Sequence, residues 1–384
     1  MTQPVAGLNP QLLTWARQRA GMSVEDVARA LNKDAAVIRA WEEGNGAPTY
    51  VQLETLAYRI YKRPIAVFFF PDPPAEPDPE HSFRTLPEFE LHNLSADTRY
   101  RVRKARALQL SLFELNDGRN PAERPIFRDI RVQATAPAAN VAARVRLHLG
   151  VDLQDQSAWR STRDAFKEWR TALETAGIYV FKDTFKQKDV SGFCLMDDEF
   201  PLIYINNSTP FSRQIFTAFH EVGHIVVQMS GMTKRDDRFI DALSGLAKEV
   251  EVFCNRFAAE VLVPSTDFHH QLAGRRYADT IPEELAAYYK VSREVILRKF
   301  LDRGEMTASF YRDKVQEWAD ESEAAASEVE GGNYYATQAT YLGDRYLRLA
   351  FSRYYQGRCS FEELADYLNV KASSVPGLEP FGLR

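Results

Sequence analysis

The chain has 384 residues, 45% of them hydrophobic, enough to bury more than one core, so two or three domains are expected. A net charge of −5 gives no overall attraction to nucleic acid or anionic membrane, and any DNA contact must rest on a local basic patch. Three cysteines, Cys194, Cys254 and Cys359, with no CxxC spacing, argue against a disulfide framework and against a cysteine zinc site. No signal peptide or lipidation motif opens the chain, and the longest apolar run falls far short of the roughly 20 residues of a membrane span. The expectation is a multidomain cytoplasmic protein with no membrane partner.

From Asn9 to Phe70 the chain reads as short helices: LLTWARQRAG, SVEDVARALN, DAAVIRAWEEG and TYVQLETLAYRIY. Gly21 stops the first, and Ser23 with Asp26 resembles a capping box with a shorter acid. The segment PDPPAEPDPE, 71–80, is acidic and proline-rich, the composition of a stiff linker or an extended wrap. Residues 95–117 have helical spacing and many basic side chains. STRDAFKEWRTALETAG predicts a helix ended by Gly177, while IYVFK and FPLIYIN predict strands. FSRQIFTAFHEVGHIVVQ predicts a helix, and AKEVEVFCNRFAAEVLVP another, stopped by Pro264. Beyond Tyr277 the pattern is helical again, interrupted by EGGNYY. One apolar skeleton recurs: Val27, Ala28, Leu31 and Val37; Leu285, Ala286, Tyr289 and Val295; Leu364, Ala365, Leu368 and Val375. It is the skeleton of a helix-turn-helix pair, and such pairs often serve only as packing units.

Histidine and glutamate are costly to bury unpaired, yet TAFHEVGHIVV places three such groups on one apolar helix. His220 and His224 lie one turn apart, about 5–6 Å between Cβ atoms. Two imidazoles at that spacing converge on one tetrahedral ion, Zn2+ in the first instance and Mn2+ as the alternative, with Glu221 alongside to hold a water. A catalytic ion needs a third protein ligand. At about 100° per residue, Val250, Cys254, Phe257 and Val261 form the core-facing stripe of the next helix, and Glu249, Arg256 and Glu260 the solvated face. Glu251 borders the core beside small Ala258, which makes it the best third ligand, with Glu249 as runner-up. Asn255, one turn on, would hydrogen-bond a ligating histidine. His269 and His270 read as surface-loop histidines or as donors near the ion. Tyr204 has the same ambiguity, and its strand, if an exposed edge, could hold a peptide by β-augmentation.

HEVGH at 220–224, followed by EVFCNRFAAEVLVP from Glu251, resembles the ImmA/IrrE family of metallo-endopeptidases, and the N-terminal block resembles an XRE-type helix-turn-helix domain. VIRAWEEG, PTYVQLETLA and RPIAVFFFPDPP resemble the opening of fusions of the two, and GGNYYATQATYLGDRYLRL and FEELADYLNVK their tail. The resemblance implies His220, His224 and Glu251 as zinc ligands and Glu221 as general base. It implies a cytoplasmic enzyme that cleaves a repressor and so controls stress-response or mobile-element genes. The fold expected is α+β and mostly helical. It comprises an all-α helix-turn-helix domain over residues 1–75 and a linker with connecting helix over 76–126. A zincin-like metallopeptidase domain with a small sheet and a helix-turn-helix-like end follows over 127–304, then a helical C-terminal region over 305–384.

The N-terminal block is a poor base reader. Only Lys33 and Arg39 are basic around the second helix of the pair, Asp34, Glu42 and Glu43 are acidic, and Ala35 and Ala36 offer no bidentate base contact. Trp41 is expected in the core, and phosphate contacts would come from Arg17, Arg19 and Arg29. DNA binding, with a homodimer on two half-sites, therefore competes with docking onto a helix-turn-helix repressor. A regulator whose metal site is structural, and a toxin–antitoxin or phage-defence component that uses it as a switch, are the other readings.

Overall fold

The computed structural model describes residues 3–76, 83, 93–234, 237–273, 275, 277–325 and 333–383. Residues 77–80 of the proline-rich segment and 330–332 of the EGGNYY interruption lie outside the described residues. Two compact units divide the chain: Met1–Arg106 with Phe185–Lys188, and Ala107–Thr184 with Asp189–Arg384.

In the first unit, short helices start where side chains cap them. Asn9 accepts from the Gln11 amide to open α1 (Pro10–Arg19), and both halves of the Ser23–Asp26 capping box open α2 (Val24–Leu31). Asp34 accepts from the Ala36 amide to open α3 (Ala35–Glu42), and α4 (Tyr50–Glu54) follows. Their inner faces bury Leu12, Leu13, Ala16, Val27, Ile38, Trp41 and Leu53, so Trp41 is a core residue. The basic stretch forms α5 (Ala96–Leu115), which runs across the sequence boundary of the two units.

The second unit is mostly helical around one four-stranded sheet. After α6 (Ala138–Leu149) and α7 (Thr162–Thr175) come β1 (Tyr179–Asp183), β2 (Val190–Leu195) and β3 (Leu202–Asn206). The helix α8 (Phe211–Val226) and β4 (Met232–Lys234) complete the layer, with strand order β1-β3-β2-β4. β3 pairs in parallel with β1 and antiparallel with β2. It is therefore interior, and the expectation that the Tyr204 strand offers an exposed edge is corrected. The strand runs buried at every residue, and the edge nearer the HExxH helix belongs to β4.

Two glycines set how closely α8 is packed. A Cβ on Gly192 of β2 would stand 2.8 Å from Thr217 Cγ2 and 2.9 Å from the Tyr204 carbonyl oxygen, so glycine lets the helix lie down on the sheet. On the other side lies α9 (Gly245–Leu262), where a Cβ on Gly223 would stand 2.9 Å from Cys254 Sγ and 3.1 Å from its Cα. Trp169 of α7 closes the layer edge-on against Phe219, 4.7 Å between centroids.

Beyond α9 follow α10 (Ser265–Gln271), α11 (Ile281–Tyr289), α12 (Arg293–Asp302) and α13 (Ala308–Ala325). Then come α14 (Tyr334–Leu342), α15 (Asp344–Tyr355), α16 (Phe361–Tyr367) and α17 (Val375–Gly382). The recurring skeleton is also a recurring turn. Asn32, Lys290 and Asn369 each adopt left-handed φ, at 52°, 58° and 50°, one residue after the third skeleton position. In each copy the next amide bonds back to the skeleton alanine: Lys33 to Ala28, Val291 to Ala286 and Val370 to Ala365.

Candidate metal centre

The helix α8 carries His220 and His224 one turn apart, and α9 brings Glu251 opposite them. His220 Nε2 stands 3.2 Å from Glu251 Oε2 and 3.3 Å from His224 Nε2, and His224 Nε2 stands 3.4 Å from Glu251 Oε1. Bonds of about 2.0–2.1 Å to a tetrahedral ion imply ligand–ligand edges of about 3.3–3.4 Å. The two imidazole nitrogens have that spacing from each other, and each has it from one oxygen of the Glu251 carboxylate, so the residues fit a small divalent ion. All are at most 2% exposed.

The surroundings orient these donors. Asn255 Oδ1 lies 2.9 Å from His220 Nδ1, so the ring donates there and turns Nε2 toward Glu251. Burial alone would push the imidazoles toward the neutral form, but Glu251 outweighs it and both titrate above their ordinary range. Burial likewise opposes the Glu251 charge, yet the imidazoles win and hold its carboxyl at about 2. A divalent cation would take over the charge balance that the imidazole protons supply.

Glu221 faces the same space. Its Oε1 accepts from the Thr233 amide at 3.1 Å and hydroxyl at 2.6 Å, while Oε2 is buried and takes no hydrogen bond. Short β4, which the sequence did not suggest, thus fixes one carboxylate oxygen. The sequence also set cysteine aside as a metal donor for want of a CxxC pair. Cys254 Sγ and a ring nitrogen of each histidine nevertheless lie within 4.8 Å of one another, all buried. The missed signal was helical: Cys254 is three residues after Glu251, on the same face. Burial raises the Cys254 thiol well above its usual range.

Other residues fall elsewhere. Glu249 is exposed. Glu260, expected on a solvated face, instead accepts from Lys299 Nζ at 2.6 Å and from the Ser265 amide at 3.1 Å, which anchors the start of α10. His269 and His270 are exposed on α10, a helix where a loop was expected. Tyr204 is buried, donating to Asp183 Oδ2 at 3.1 Å.

Among the N-terminal cations, Arg17 is tied to Glu42 by Nε at 2.7 Å and Nη2 at 2.8 Å, and also reaches the Met22 carbonyl. Arg29 pairs with Asp26 and Arg39 with Glu25, while Lys33 is exposed and Arg19 half-buried. Among the described residues no helix is long and apolar enough to cross a membrane.

Residues 173–301, from the end of α7 through α12, match the Peptidase_M78 family model, the IrrE N-terminal-like domain. The matched stretch contains the whole sheet, the HExxH helix and Glu251. It supports an ImmA/IrrE-type peptidase domain there, hence a hydrolase of metallopeptidase type with a protein substrate. No curated protein matches the chain.

Proposed function

We propose that the chain is a zinc-dependent endopeptidase, with Mn2+ as an alternative ion, which acts in the cytoplasm on a helix-turn-helix repressor. Its domains are those read from the sequence, with an XRE-type helix-turn-helix at the N-terminus. The observation that carries the reading is the buried set of His220, His224 and Glu251, with donor spacings of 3.2–3.4 Å and the half-satisfied Glu221 carboxylate beside it.

His220, His224 and Glu251 would hold the ion, which supplies Lewis acidity and brings the pKa of water toward about 7. Glu221 Oε2 takes the proton of the attacking water and passes it to the leaving amine nitrogen. Thr233 keeps Oε1 engaged throughout, so the carboxylate cannot swing away from that task. Asn255 keeps His220 in the Nδ1–H tautomer, which leaves Nε2 free to ligate.

The test is incubation of the full chain, loaded with zinc or manganese, with the repressor encoded beside it. Cleavage by the wild type and none by Glu221→Gln, with metal content equal in both, is the expected result. Wild-type rates in that variant would remove Glu221 from its role.

For the N-terminal unit, protein docking is favoured over base reading. Arg17 is held by Glu42 within the fold, and Arg29 and Arg39 form exposed pairs with Asp26 and Glu25, whereas Tyr50 and Val51 (60% exposed) and Tyr58 (51%) present apolar surface to solvent. DNA binding, if present, rests on phosphate contacts by a homodimer and weakens steeply with salt.

A further inference from the structure

We propose that Cys254 is a fourth protein donor to the ion held by His220, His224 and Glu251, and that its thiolate caps the centre in a resting form. The inference rests on the metallopeptidase reading above. Three protein ligands leave a position open to water, whereas a fourth closes the site. Closure would withhold from Glu221 the water it is placed to deprotonate.

Helix geometry brings the sulfur there. Cys254 follows Glu251 by three residues on α9, and Gly223, between the two histidines, removes the side chain that would hold α9 away. Its Sγ and the histidine nitrogens share one buried cluster within 4.8 Å. A tetrahedral ion with bonds of about 2.3 Å to sulfur and 2.0–2.1 Å to nitrogen places those atoms roughly 3.6 Å apart. The cluster therefore holds the sulfur within about 1.2 Å of ligating distance at most.

A second, independent observation points to a cation at the same spot. Glu221 Oε2 is buried with no hydrogen bond. A carboxylate oxygen in that condition is costly unless a positive charge answers it. Zinc accepts thiolate, imidazole and carboxylate together. Ligation breaks the S–H bond and releases its proton to solvent.

Cobalt(II) reports the donor without any substrate. The full chain, stripped of metal and titrated with cobalt(II), is read for visible ligand-field bands and for a near-ultraviolet thiolate-to-cobalt charge-transfer band. The expected result is both in the wild type, with the charge-transfer band lost in Cys254→Ala and Cys254→Ser and kept in Cys194→Ala. Ligand-field bands without charge transfer in the wild type would overturn the capping role and leave the metallopeptidase reading standing. No bound cobalt would overturn both. A charge-transfer band that survives in Cys254→Ala, or vanishes in Cys194→Ala, would also refute the assignment. Should the Cys254 variants not fold, the wild-type and Cys194→Ala spectra still decide it, because the remaining cysteine, Cys359, lies beyond α15.

Discussion

Substituting Gly223 by alanine tests the spacing on which the metal centre depends. The new Cβ would stand 2.9 Å from Cys254 Sγ, 3.1 Å from Cys254 Cα and 3.2 Å from its Cβ. Carbon–carbon contacts are comfortable at about 3.5–4.0 Å. The sulfur can rotate aside but the Cα cannot, so α9 must recede by roughly half an ångström. Overpacking of this kind costs about 1–3 kcal/mol. Alanine returns about 1 kcal/mol of helix propensity, which leaves a net loss of about 0–2 kcal/mol. At about 2–4 °C per kcal/mol for a domain of this size class, the metal-free Tm should fall by up to about 8 °C. Metal affinity should suffer more, because the spacings of 3.2 and 3.4 Å bridge the two helices that are being parted. A loss on the order of 10–100-fold is expected, as for other disturbances of a ligand shell. Thermal unfolding of stripped protein and zinc titration against a chromophoric chelator measure both. A rise in Tm, propensity acting unopposed, or an unchanged zinc affinity would refute the close-packing argument.

The ligand assignments order a second set of variants: His220→Ala, His224→Ala and Glu251→Ala should lose near-stoichiometric zinc in elemental analysis, whereas exposed Glu249→Ala should retain it. Metal-free stability should also depend on pH in a defined way. The raised histidines contribute fully below their unfolded value of 6.5, and that contribution is lost as pH rises through their folded values. Depressed Glu251 contributes above its unfolded 4.5 and loses its contribution as pH falls toward about 2. Stripped protein should therefore lose Tm above pH 6.5 while zinc-loaded protein gains relative to it, since ligation needs the imidazoles neutral. A stripped-protein Tm that climbs through that range would contradict the Glu251–histidine coupling.

The sequence made the geometry of the candidate centre legible where chemistry leaves a period. Two histidines at i and i+4 and a carboxylate at the edge of a core stripe are statements about angle on a helix, and angle survives folding. It also foretold the Ser23–Asp26 cap, the stop at Gly177 and the buried Trp41, each a local matter of hydrogen bonding or apolar period. What it hid depends on partners distant in sequence. β2 reads poorly as a strand because Ser191 and Gly192 interrupt its apolar run, yet that glycine is what seats α8 on the sheet. The three residues of β4 carry no pattern at all, and only folding brings Thr233 to Glu221. Glu260 looked solvated because nothing near it in the chain announces Lys299, 39 residues on. The N-terminal arginines were readable as cations but not as ion pairs, since Arg17 meets Glu42 only once α1 and α3 are packed.

Those long-range contacts also bear on how a substrate would enter. The strand edge beside Glu221 belongs to β4, and two of its polar groups are already engaged. The Thr233 amide goes to Glu221, and the Lys234 carbonyl accepts from Arg213 Nη2 at 3.1 Å. An extended peptide pairing there would compete with Arg213 for Lys234 and leave in place the Thr233 contact that holds Glu221. Exposure argues the same way: His220 is 2% accessible, and His224, Glu221 and Glu251 have none. On the proposed reading, a centre so enclosed, with Cys254 among its donors, would be a peptidase held shut until something moves. The first groups to move would then be Arg213 at the strand edge and Cys254 at the ion, and neither displacement would require α8 to leave the sheet.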